Sequence, residues 1–115
     1  KVRSPYNVNA LTQAAVPVVL GAAEVLEAQV ARIRAERSRL AAALAAIPGV
    51  RVTPSDANFL LVRVPDAGAA QARLHAAGIL VKNLDGGHPL TSNCLRITVG
   101  TPSENDALIR ALAST

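Results

Sequence analysis

One stretch constrains this chain more than any other: Asn93-Cys94-Leu95-Arg96-Ile97-Thr98-Val99-Gly100, leading straight into Thr101-Pro102-Ser103-Glu104. A strand repeats every two residues, so Leu95, Ile97 and Val99 fall on one face and Cys94, Arg96 and Thr98 on the other. The residues after it mark a helix start. Thr101 is the N-cap, Pro102 takes the first helical position and Glu104 the reciprocal capping position. A half-buried strand followed at once by a helix demands a layered domain. It also sets a guanidinium, always charged and shaped as a planar fork, on a sheet surface. Arg96 therefore needs an anion, either a side chain such as Asp56 or Glu104, or a ligand.

The rest of the pattern supplies the layers. Ser4 precedes a proline and is pushed away from helix, so residues 1–7 read as extended or looped. Asn7 or Asn9 is placed to cap a short helix from Ala10 to Leu20, which Pro17 should kink or end. Gly21 allows a bend. A long amphipathic helix, about Ala22 to Ile47, follows with Leu26, Val30, Ile33, Leu40, Leu44 and Ile47 at three- and four-residue steps. Arg37 interrupts that stripe. Arg32, Arg34, Glu36 and Arg39 lie mostly off it, as expected of a solvated flank with ion pairs of about 0.2–0.5 kcal/mol each.

Pro48-Gly49 stops the helix. Val50–Thr53 reads as a short edge strand and Asn58–Val64 as a strong strand ended by Pro65. Asp66 is placed to cap a helix reaching about Ala77, which Gly78 closes. Ile79–Leu84 is the next strand, and Asp85-Gly86-Gly87-His88-Pro89 a loop. The predicted order is helix, long helix, two strands, helix, two strands, helix. That is an α+β domain, with a small, mostly antiparallel sheet covered by helices on one face. The other face is left for water, a neighbouring domain or a ligand.

Composition removes several function classes. The chain has 115 residues, half of them apolar, but one Phe, one Tyr and no Trp. That argues against a surface that stacks bases in the manner of nucleic-acid binders. The formal charge of +4 is carried mostly by arginines spread along the chain. The single cysteine, Cys94, excludes an internal disulfide and multi-cysteine metal sites, and reads as a small strand hydrophobe. No apolar run reaches transmembrane length. His75 and His88 stand outside any metal-ligand spacing, and no nucleophile–histidine arrangement is legible. Gly86-Gly87 is too short to cradle a phosphate. The chain opens at Lys1, within a pattern and without Met, as a piece of a longer cytosolic protein would.

Arg96 is joined by Asn58 at the start of its strand and by Lys82 and Asn83 in another. Singly, each has a plain reading: a turn residue, an edge-strand charge, a strand-ending residue. Together, an Arg, a Lys and an Asn near one sheet surface make a receptor for a doubly anionic small molecule.

Four blocks carry a resemblance. They are Arg3-Ser4-Pro5-Tyr6-Asn7-Val8-Asn9, Ser55-Asp56-Ala57-Asn58-Phe59-Leu60-Leu61-Val62, Gly78-Ile79-Leu80-Val81-Lys82-Asn83 and Cys94-Leu95-Arg96-Ile97-Thr98-Val99-Gly100-Thr101. In this order and spacing the chain resembles the C-terminal part of the histidinol-phosphate aminotransferases, over nearly its whole length. The resemblance implies the fold of type I pyridoxal-phosphate enzymes, with a large cofactor-binding domain and a small domain. Residues 1–21 would then be an interdomain segment with a short helix, and 22–115 the small domain.

It further implies transamination between histidinol phosphate and 2-oxoglutarate, giving imidazole-acetol phosphate and glutamate in histidine synthesis, by a cytoplasmic homodimer. By the same resemblance, Arg96 binds the α-carboxylate of the amino-acid substrate. Lys82 stands where the family commonly has an arginine that holds the substrate phosphate. Asn58 and Phe59 run beside the substrate pocket, and Tyr6 and Asn7 lie near the dimer interface and the neighbouring site. The family's cofactor lysine, its phosphate cradle and the acid for the pyridine nitrogen belong to motifs outside these residues. This chain alone is therefore expected to bind no pyridoxal phosphate and no metal and to be inert. Its expected partners are the missing large domain and the two substrates, with neither nucleic acid nor membrane. The same residues leave room for the small domain of a related class I/II aminotransferase or a phosphate-ester decarboxylase. They also leave room for a free-standing α+β binding module.

Overall fold

A computed structural model describes residues 9–114. In chain order it holds α1 (Ala10–Gly21), α2 (Ala23–Ala45), β1 (Arg51–Val52), β2 (Phe59–Arg63), α3 (Ala67–Ala76), β3 (Lys82–Asn83), a 3-10 turn at Pro89–Thr91, β4 (Cys94–Thr98) and α4 (Pro102–Ala113). The order matches that read from the sequence. The chain divides into two compact units, one ending at Ala31 and the other beginning at Arg32.

The first unit holds α1 and the start of α2. The Asn9 side chain accepts from the Thr12 amide at 2.8 Å and so starts α1. Pro17 sits inside this helix and does not end it. The break falls instead at Ala22, where the backbone leaves helical geometry (φ −102°, ψ 41°). No residue of α1 is buried; Leu11 is 81% exposed and Val18 75%. No single helix among the described residues is long and apolar enough to cross a membrane.

The second unit is an α+β layer pair. Its four strands run in the order β1-β2-β4-β3, each pairing antiparallel with its neighbours. The alternation in β4 is realised: Leu95 and Ile97 are fully buried, while Arg96 and Thr98 are exposed. Leu60 and Val62 of β2 share the buried face with them. Leu40 and Leu44 of α2, Ala67, Ala70 and Leu74 of α3, and Leu108 and Leu112 of α4 complete one apolar core. All three helices thus cover the same face of the sheet. The opposite face stays open.

Two elements differ from the sequence reading. The long stripe of α2 is buried only at Leu40 and Leu44, whereas Val30 and Ile33 are exposed. The strand expected over Ile79–Leu84 pairs only at Lys82 and Asn83. The Leu74 carbonyl takes the Ile79 amide at 2.8 Å to close α3, and Gly78 turns there at φ +76°. The chain is therefore free to join β4 only from Lys82.

The start of α4 is a complete capping box, with the Thr101 side chain and Glu104 each serving the other's backbone. Asn105, nine-tenths and more buried, ties this corner together. Its amide group donates to Glu36 Oε2 of α2 at 2.9 Å and to the Gly100 carbonyl at 3.0 Å, and its oxygen accepts from the Gly100 amide at 2.9 Å. Arg39 joins Glu36 at 2.9 Å and Asp106 at 2.7 Å. The flank of α2 read as solvated thus also clamps α4.

Candidate functional site

The open sheet face collects the cations. In the register of the ladder, Leu61, Arg96 and Lys82 form one row across β2, β4 and β3. Arg51, Arg63 and Cys94 form the row beside it. Phe59 and Thr98 form the third. Arg51, Arg63, Lys82 and Arg96 are all exposed, and no Asp or Glu stands in any of the four strands. Like charges directly opposite one another on a sheet are unfavourable, by up to about 1 kcal/mol. The Lys82–Arg96 pair is therefore costly for the fold and well suited to an anion.

Neither carboxylate considered as a partner for Arg96 reaches it. Asp56 lies 3.8 Å from Arg37. Glu104 is turned to the Thr101 amide at 2.8 Å, completing its cap. Among the described residues Arg96 makes no ion pair. Its guanidinium carbon instead lies over the Phe59 ring, 5.6 Å from the centroid. That brings together three of the residues singled out from the sequence: Arg96, Lys82 and Phe59.

Asn58 precedes β2 and contributes its carbonyl, which accepts from the Val99 amide at 2.8 Å. Asn83 faces the helices: its side-chain amide donates to Gln71 Oε1 of α3 at 3.3 Å, and Gln71 donates to the Val81 carbonyl at 3.4 Å. It is not part of the open face. Its contact with α3 holds β3 so that the preceding residue, Lys82, lies exposed on the open face. Tyr6 and Asn7 lie outside the described residues.

Several supporting residues were not read from the sequence. Arg37, noted there only as a break in the stripe, donates to the Ala57 carbonyl at 3.0 Å and so ties α2 to the turn before β2. The Ser55 hydroxyl donates to the Phe59 carbonyl at 2.6 Å and accepts from the Ala57 amide at 3.1 Å. Arg63 reaches past β4 to the Leu90 carbonyl at 2.7 Å. Alternation in β2 would have found Arg63, since it shares the parity of Phe59 and Leu61. Cys94 is buried, as expected, but outside the main core cluster and on the Arg96 parity. His75 is exposed on α3; His88 caps the 3-10 turn, its Nδ1 accepting from the Leu90 amide at 3.1 Å. No group of three or more potential metal ligands occurs among the described residues.

The titration shifts belong to the scaffold. Hydrogen bonds from Arg39, then from Asn105, hold the Glu36 carboxyl below the ordinary glutamate range, and the Thr101 amide does the same for Glu104. Glu36 and Asp106 raise the Arg39 guanidinium further. What remains for chemistry is a preset pair of cations beside an aromatic ring, able to bind and orient an anion. It contains no evident nucleophile or base.

The model of the aminotransferase class I and II family matches residues 1–112. A histidinol-phosphate aminotransferase of Chromobacterium violaceum is 55% identical over 97% of this chain. This chain spans 32% of that relative, so it matches about a third of the length of such proteins. A decarboxylase from Sulfurospirillum multivorans superposes with a TM-score of 0.77 at 28% identity, covering 95% of this chain and 32% of its own. The histidinol-phosphate aminotransferase of Clostridium acetobutylicum shares the fold with a TM-score of 0.83 at 24% identity, over 96% of this chain and 34% of its own.

Proposed function

The chain belongs to the aminotransferase class I and II family, and from that premise we propose that it is the small domain of a histidinol-phosphate aminotransferase. Residues 1–21 would be the interdomain segment and 22–115 the domain proper. The full-length protein, a cytoplasmic homodimer, would convert histidinol phosphate and 2-oxoglutarate to imidazole-acetol phosphate and glutamate. The observation that carries the reading is the directly opposed Lys82–Arg96 pair on a sheet face whose strands hold no carboxylate. Its relatives at 55% identity support the choice of substrate.

The two substrates are both anions, but of different shape. Arg96 offers a planar fork, which matches the carboxylate of glutamate in two parallel hydrogen bonds and fixes its orientation. Lys82 offers a compact charge with three rotatable donors, which suits a phosphate without demanding one geometry. Histidinol phosphate has no carboxylate, so the same two cations serve its phosphate in the other half-reaction. Tyr6 and Asn7 would complete the site near the dimer interface.

Family members work with pyridoxal 5′-phosphate, which supplies the electron sink for moving the amino group. The residues described here do not fit that group. Lys82 is the only lysine among them, and it stands against Arg96 in an anion-binding face. No acid in the strands could pair with a pyridinium nitrogen. The cofactor is assigned to the large domain of the full-length protein, and this domain orients what approaches it.

A substrate panel on the full-length enzyme tests the reading. Glutamate formation that requires both histidinol phosphate and 2-oxoglutarate is expected. The likeness to the decarboxylase favours a second reading at lower identity. Carbon dioxide released from a phosphorylated amino acid, with no need for 2-oxoglutarate, would establish that one instead.

A further inference from the structure

We propose that Phe59 is a positioning residue for Arg96: its ring holds the guanidinium in the pose that meets the substrate carboxylate. The proposal rests on the reading of Arg96 as the carboxylate grip. An arginine side chain is long and loses much rotamer freedom when fixed in one geometry. Ion pairs usually fix it, but Arg96 makes none among the described residues. What it meets is the Phe59 ring, 5.6 Å from centroid to guanidinium carbon.

The register explains the meeting. Phe59 pairs with Thr98, two residues along β4 from Arg96, so the two side chains are diagonal neighbours on one face. The ring has no role in the core cluster and is 39% exposed, an unusual place for the chain's single Phe. Its backbone is pinned on both sides. The Ser55 hydroxyl donates to the Phe59 carbonyl, and Arg37 holds the Ala57 carbonyl two residues before Phe59.

The chemistry suits a grip. A ring attracts the guanidinium as a cation and asks for none of its hydrogen bonds. Its N–H donors therefore stay available for a bidentate carboxylate. A leucine would fill a similar volume but offers no ring quadrupole to attract the cation.

A double-mutant cycle in the full-length enzyme tests this. Phe59→Leu should raise the KM for glutamate about two- to five-fold, the factor a half-exposed cation–π contact supplies. Phe59→Tyr, which keeps the ring, should restore it. In an Arg96→Ala background Phe59→Leu should add nothing. An equal penalty in both backgrounds would mean that the ring touches substrate directly, and would overturn the proposal, as would an unchanged KM in the single variant. An Arg96→Ala enzyme with unaltered glutamate KM would instead remove the carboxylate-grip reading itself. A readout without turnover guards against an unstable variant. In selectively labelled enzyme the ring current should shift the Arg96 side-chain protons upfield, and Phe59→Tyr should retain that shift; unshifted protons in the parent would contradict the contact.

Discussion

At the scale of single residues, Arg96 and Lys82 differ as a fork differs from a point charge. Lys82 stands opposite Arg96, where the resembling family commonly has a second arginine. If it serves phosphate, Lys82→Arg in the full-length enzyme should keep the KM for histidinol phosphate within a few-fold of the parent. Lys82→Ala should raise it by tenfold or more, the loss of roughly 1.5–3 kcal/mol expected for a charged hydrogen bond. Steady-state kinetics with each substrate varied in turn would show it. Arg96 was legible in the sequence because two-residue alternation places it opposite Leu95 and Ile97, and that face is where it lies. Its partner was not. Nothing in the sequence says whether Asp56 or Glu104 reaches it; the structure sends one toward Arg37 and the other to the Thr101 cap. Asn83, read from the sequence as a strand-ending residue, turns its side chain to Gln71 of α3, a contact no local pattern announces.

At the scale of elements, α4 is the best-signalled helix and the most tightly held at its start. Thr101→Ala should destabilise the fold by about 1 kcal/mol, seen as a lower denaturation midpoint with an unchanged slope. The pH dependence follows from the two depressed glutamates. Glu36 and Glu104 release their protons more readily folded than unfolded, so the unfolded chain binds more protons as acid is added. Their contribution is complete above the ordinary glutamate range, roughly pH 4–5, and is lost as pH falls through their lowered folded values. Glu36→Gln and Glu104→Gln should each flatten the acid side of a stability-against-pH curve; an unaltered acid limb would contradict the assignment. Helix starts were readable here because caps are local: Asp66 and Thr101 take the capping role their spacing announced, and of Asn7 and Asn9 it is Asn9 that caps α1. Where a helix ends, or how far a strand pairs, depends on competition for one amide. Ile79 shows this, bonded to Leu74 and so lost to β3.

At the scale of the whole molecule, the core and the site lie on opposite faces of one sheet in the unit from Arg32 onward. Both faces are legible in the residue periodicity, but not which half of α2 is buried. A stripe of Leu, Val and Ile states only that a helix has an apolar side. Leu11, Val18, Leu20 and Val25 remain exposed in the first unit. Large apolar side chains left exposed in this number favour association in water. The 115-residue chain by itself should show concentration-dependent self-association in sedimentation velocity, reduced by Leu11→Glu with Val18→Glu. Mixed with pyridoxal phosphate, it should develop neither a lysine-linked absorption band nor transaminase turnover, since its one described lysine stands opposite Arg96 on the open sheet face.

The most direct test of the central claim separates the two half-reactions of the full-length enzyme by rapid-mixing single-turnover kinetics, parent against Arg96→Ala. The account predicts that the concentration of glutamate giving half-maximal rate rises by tenfold or more, the scale of one lost charged hydrogen-bond pair. A smaller change is expected for histidinol phosphate, which Lys82 would still hold. A glutamate half-reaction with the parent's concentration dependence would contradict it.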